Sequence, residues 1–177
     1  MRWFWMDRFT EFVSGSHAAG VKGVTLSEEA VDEYAPGKPF LPQSLVIEGL
    51  AQAGGLLVAQ QSDFLDRVVL AKVQKSKFYF DAYPGDLLTY RVELENFSQV
   101  GAFVVGTSHR GDELHAEIKL IFSILDDERF ENVELFEPAE LCRMCRVLRL
   151  FEVGVNQDGT PVRVPPHMIA AEKALLL

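Results

Sequence analysis

PGKPFLPQSLVIEGLAQAGGLLVAQQ, residues 36–61, decides how this chain is organised. Pro36, Gly37, Pro39 and Pro42 crowd its start. Proline fixes φ and lacks an N–H, so this segment reads as an ordered loop. From Ser44 to about Gln61, Leu45, Val46, Ile47, Leu50, Leu56, Leu57 and Val58 recur nearly all round a helical period, the pattern of a helix buried on every side. Ser44, Glu48 and Gln52 are nearly its only polar side chains, and a spacing of four puts all three on one face. Small residues (Gly49, Ala51, Ala53, Gly54, Gly55) flank them and let other backbone approach closely. A carboxylate withdrawn from water is costly unless something pairs with it. Glu48 therefore reads two ways: as part of a structural network with Gln52 and a neighbouring strand, or as a general acid or water-activating base in an apolar pocket.

Outward from this helix, the pattern changes to that of strands. Residues 3–25 read as two extended segments meeting at the turn-forming Ser14, Gly15 and Ser16, and Ser27 to Val31 as a short helical turn. Residues 68–125 read as antiparallel sheet. Leu88, Tyr90, Val92 and Leu94 alternate with Thr89, Arg91, Glu93 and Glu95, and Leu114, Ala116, Ile118, Leu120, Phe122 and Ile124 alternate with His115, Glu117 and Lys119. Arg110, Gly111 and Asp112 make the hairpin turn between the last two strands. His109 and His115 flank that turn and are expected in solvent. One long buried helix followed by long antiparallel strands is an α+β arrangement in which the sheet wraps the helix.

The chain has 177 residues, of which 48% are hydrophobic, enough for one well-cored domain plus an extension. A net charge of -9 argues against polyanionic partners, because binding nucleic acid or anionic lipid depends on Lys and Arg neutralising phosphates. No nucleic acid partner and no membrane span are expected, since no run approaches the ~20 apolar residues that crossing a bilayer takes. MRWFWMDRF is not a signal peptide, and a cytoplasmic, reducing location is the default. After Asp126 the texture changes. Leu141, Met144, Cys145 and Leu148 predict an amphipathic helix from Pro138 to about Leu150, with Arg143, Arg146 and Arg149 on its other side. A short hairpin around Gln157, Asp158 and Gly159 and a Pro165–Pro166 stop precede a terminal apolar segment. Cys142 and Cys145 form a CxxC pair with no second ligand pair, so no metal site is expected and they read as two small hydrophobes on a packed face.

PGKPFLPQSLVIEGLAQAGG, followed about 20 residues later by KSKFYFDAYPGDLL, resembles the 3-hydroxyacyl-acyl-carrier-protein dehydratases of the FabZ/FabA type. That family shows H-F-P-G-x-P-x-x-P, then a helix with E-x-x-x-Q, then a basic strand and P-G-D, and its apolar-Asp-Arg start compares with WMDRF. The resemblance covers roughly residues 5–125. It implies a hot-dog fold, a long central helix wrapped by a curved antiparallel sheet, over residues 1–130; residues 131–177, which it does not cover, read from their own pattern as a packed C-terminal extension. It also implies sites at the interface of a homodimer, or of a trimer of dimers. The substrate class is an acyl thioester of acyl carrier protein or coenzyme A, and no cofactor is involved.

In that scheme a His removes the α-proton of a 3-hydroxyacyl thioester and a helix carboxyl protonates the departing hydroxyl. The resemblance puts the carboxyl at Glu48, its neighbour at Gln52 and the carbonyl-polarising N–H at Gln43, where a helix N-terminus presents free N–H groups. Pro36, Gly37, Ser44, Gln43 and Gln52 would contact substrate. The family His falls on Tyr34, and a phenol, with a reference pKa near 10 against about 6.5 for imidazole, is a poor base at neutral pH. Tyr34 then serves as a positioner or weak base. His17, Asp32 and Glu33 are possible substitutes, and His167 lies in the uncovered tail. Arg143, Arg146 and Arg149, or Lys72, Lys75 and Lys77, would be landing patches for an acidic carrier. Two alternatives stay open: a non-catalytic acyl-binding or partner subunit, and an acyl thioesterase using Glu48.

Overall fold

Apolar–polar alternation produces a seven-stranded sheet in the computed structural model, which describes residues 4–33, 37–125 and 136–175. Strands β1 (Arg8–Val13) and β2 (His17–Gly23) meet at the expected turn, where Gly15 adopts φ 69°, a conformation open to glycine. A short helix α1 (Glu29–Glu33) precedes the central helix α2 (Gln43–Ala59), which tightens into a 3-10 turn at Gln60–Ser62. Then come β3 (Arg67–Phe78), β4 (Leu87–Ser98), β5 (Gly101–Arg110) and β6 (Glu113–Leu125). The order across the sheet is β3-β6-β5-β4-β2-β1-β7, antiparallel throughout except for the last pair.

Helix α2 packs against β2, β3, β4, β5 and β6. Five strands of one sheet therefore pack against a single helix. Val46, Leu50 and Leu57 of α2 are completely buried against Leu88, Tyr90 and Val92 of β4 and the inward residues of β6. The expectation that α2 is buried on every side needs correction. Glu48, Gln52 and Gly55 are only half-buried and Ser44 is exposed, because the sheet reaches round only part of the helix.

The C-terminal region adds α3 (Pro138–Val147), α4 (Leu150–Val153), β7 (Gly154–Val155) and α5 (Pro166–Ala174). β7 pairs in parallel with Phe12 and Val13 of β1, and the N–H groups of Phe9 and Ser14 donate to the carbonyls of Leu148 and Val155. Cys142, Cys145, Leu150, Val162 and Met168 join the same apolar core as α2. Pro166 opens α5 rather than stopping the chain, since a first-turn residue has no intrahelical N–H bond to lose.

His115 is a second correction: it is buried, not solvated. Ser108 pairs with Ala116 and His109 with Leu114, so His115 is the extra residue of a β-bulge. Its Nδ1 lies 2.9 Å from Ser108 Oγ, and its ring packs against Phe78 and Phe80 at centroid distances of 5.7 and 5.0 Å. The bulge breaks the strict alternation on which the solvent assignment depended.

Candidate active site

The helix face that the sheet leaves open carries a chain of hydrogen bonds. The main chain leading into β1 crosses α2 at Gly49, where any side chain would begin 2.4 Å from the carbonyl oxygen of Trp5. One turn on, the Trp5 N–H donates to Gln52 Oε1 at 3.0 Å, and Gln52 Nε2 donates to Glu48 Oε1 at 3.0 Å. A backbone N–H can only donate, which fixes the amide with its oxygen towards Trp5 and its nitrogen towards the carboxylate. Glu48 thus has one oxygen engaged and is oriented from a segment more than forty residues away. The E-x-x-x-Q spacing suggested the pair. The part played by the Trp5 main chain was not legible, although Gly49 between the two polar residues was the signal of a close backbone approach.

Glu48 and Gln52 line a cavity of about 800 Å³. Ala51, Gly55, Leu56 and Ala59 continue its wall along α2, residues 64–68 with Leu70 and Phe122 also line it, and Glu140, Leu141, Arg143 and Met144 of α3 with Leu148 just after it add the lining from the C-terminal region. The space is large enough for a small-molecule ligand, which makes it the candidate site. His167 also lines it, a contribution that sequence order gave no reason to expect.

The other anticipated residues are distributed as follows. Gln43 and Ser44 begin α2 and are exposed; Pro42 before them has no side chain able to cap their N–H groups. Gly37 is exposed with φ 82°. These three are not among the cavity-lining residues. Tyr34 and Pro36 lie outside the described residues, as do the side chains of Asp32 and Glu33. His17 is engaged elsewhere, Nδ1 with Ser16 Oγ at 2.9 Å and Nε2 with Glu11 at 3.3 Å, and does not line the cavity. Among the described residues no cluster of ligating side chains has the make-up of a metal site, and burial raises both α3 thiols above their ordinary range, Cys145 to about 12. Helix α3 ends at Val147, short of the expected Leu150, so Arg149 lies beyond it; Arg146 makes a forked pair with Glu172 and Arg149 faces Glu152, so two of the three guanidiniums expected as a patch already have carboxylate partners.

The profile of the FabA-like domain family matches residues 3–118, well over half of the sequence. The chain belongs to that family. The FabA-like chain is 34% identical over 122 residues to the 3-hydroxyacyl-[acyl-carrier-protein] dehydratase FabZ of Symbiobacterium thermophilum, covering 68% of this chain and 86% of that one. Among solved structures it is similar to a chain of the dehydratase heterocomplex ApeI:P of Xenorhabdus doucetiae, with TM-score 0.60, 14% identity, and 74% and 91% of the two chains covered. A hypothetical thioesterase of Streptococcus pneumoniae, solved with coenzyme A, aligns with TM-score 0.55 and 11% identity over 67% and 84%. The likeness establishes the hot-dog fold. The family match ends within β6, so α3, α4, β7 and α5 lie beyond it.

Proposed function

We propose that this FabA-like chain acts on acyl thioesters, dehydrating a 3-hydroxyacyl thioester to the trans-2-enoyl product. The observation that carries the reading is the Trp5–Gln52–Glu48 chain facing an apolar cavity, within a sequence 34% identical to a FabZ dehydratase. In the reaction the α-proton leaves to a base, the Cβ–O bond breaks, the Cα=Cβ bond forms, and Glu48 gives its proton to the departing hydroxyl to make water. With Oε1 held by Gln52, Oε2 is the oxygen that meets the hydroxyl. The uncapped first turn of α2 at Gln43 is suited to polarise the thioester carbonyl. Tyr34 occupies the family's base position, as a weak base or a positioner.

Acyl carrier protein or coenzyme A carries the substrate, and two copies pair along β3 to complete the site. β3 is an edge strand of twelve residues with Leu70 and Val73 exposed, and its start lines the cavity. The test supplies a short 3-hydroxyacyl thioester and follows enoyl formation and free thiol together. Wild type forms enoyl product, Glu48→Gln loses about 10² to 10⁴ in rate, and Tyr34→His gains rate. Thiol release without enoyl product makes the chain a thioesterase. Binding without either product, restored to dehydration by Tyr34→His, makes it an acyl-binding subunit. Enoyl formation that survives Glu48→Gln overturns the site assignment.

A further inference from the structure

We infer that α3, which lies beyond the family match, is the wall that sets how long an acyl chain this protein accepts, with Met144 as the principal gauge. The inference rests on the acyl-thioester reading above and names a part of the site which that reading does not supply.

Two apolar stripes run along α3. Cys142 and Cys145 point into the core and are completely buried, which accounts for the docking of the helix. Leu141, Met144 and Leu148, at i, i+3 and i+7, line the cavity together with Glu140 and Arg143; Leu148 is also a buried core residue, whereas Leu141 and Met144 lie at the margin of the core and remain only half-buried. To the same lining α2 contributes Ala51, Gly55, Leu56 and Ala59 beyond its polar pair. Gly55 is not required by crowding, since a Cβ there would meet only the Phe122 ring at 3.5 Å, an ordinary contact. Small residues from α2 and long flexible ones from α3 line a slot whose width depends on the α3 side chains, and methionine is the most adaptable of them.

The slot begins at the reacting carboxylate. From Glu48 to Ala59 the α2 axis rises about 16 Å, the length of an extended chain of roughly a dozen carbons. The α2 wall of this run, Ala51, Gly55, Leu56 and Ala59, is apolar and suits an aliphatic tail, while Asp66, Arg67, Glu140, Arg143 and His167 also line the cavity. The ligand class is therefore a medium-length saturated acyl chain, held with its carbonyl end near Glu48 and its methyl end against α3.

The experiment uses the full chain and two readouts. Binding of saturated acyl-coenzyme A thioesters of increasing length is measured by calorimetry, and dehydration of the matching 3-hydroxyacyl series by enoyl absorbance. Met144→Trp is expected to move the preferred length down by several carbons and to change the C4-to-C12 binding ratio at least tenfold; Met144→Ala moves it the other way. Gly55→Val, which intrudes from α2, reproduces the effect of Met144→Trp and serves if that variant does not fold. A length profile that is the same in wild type, Met144→Ala and Gly55→Val overturns the inference. The two readings fail separately. Length-selective binding that moves with Met144 but yields no enoyl product sinks only the dehydratase reading; enoyl formation with a profile blind to residue 144 sinks only the role of α3.

Discussion

At the scale of single residues, Gly49 and Gly55 sit on the same helix and predict opposite outcomes. A Cβ at Gly49 runs into the Trp5 carbonyl, so Gly49→Ala forces the strand off the helix, costs about 1–3 kcal/mol and disturbs the Trp5–Gln52 bond one turn away. Gly55→Ala meets no obstacle and removes a helix-interior glycine, so it should raise stability by about 0.5–1 kcal/mol. Urea melts of the two variants check both signs. On the proposed function Gln52 acts through Glu48, so Gln52→Leu should lower kcat by about 10- to 100-fold with little change in KM, a split that simple loss of fold does not produce. His115 gives a pH prediction. Burial first, then the Arg110 charge, lowers its pKa below the ordinary 6.5, while Asp81 and Asp86 pull the other way. The unfolded chain then takes up this proton at higher pH than the folded one, so the contribution is complete above about pH 6.5 and is lost as pH falls towards the folded value. Thermal melts from about pH 7 to about pH 5 should show a decline that is smaller in His115→Gln. The Glu48–Gln52 hydrogen bond was legible because a spacing of four is local. Trp5 and His167 were not, because they reach the site through folding of distant segments.

Periodicity resolved most of the elements. Alternation marked β4 and β6, and the crowded apolar run marked α2 to within about two residues, because both patterns reflect which face meets the core. It failed where one residue was inserted: the bulge at His115 carries two adjacent side chains, His115 and Ala116, into buried positions. The parallel pairing of β7 with β1 was equally out of reach, since a two-residue strand has no period and its partner lies some 140 positions earlier. The CxxC on α3 belongs to this scale too. Both thiols are buried and their pKa values raised by that burial, so a thiolate-seeking reagent should label neither in the native protein at neutral pH and both after denaturation. Rapid native labelling would show that α3 is not held as described.

For the whole molecule, the two ends of the sheet differ. β3 offers a long outer edge with exposed Leu70 and Val73, and pairing through it should bury enough surface for a stable assembly. A proline at Lys75 removes a ladder donor and should shift sedimentation towards the monomer, lowering activity with it if the site is completed by a second copy. At the opposite end, the outer side of β1 is already taken, by β7 and by the carbonyls of Leu148 and Val155. Strand addition at this sheet therefore has a valence of one. Two copies joined through β3 would leave no other long free edge among the described residues, so such a pairing would terminate as a closed pair rather than extend into an open-ended fibre.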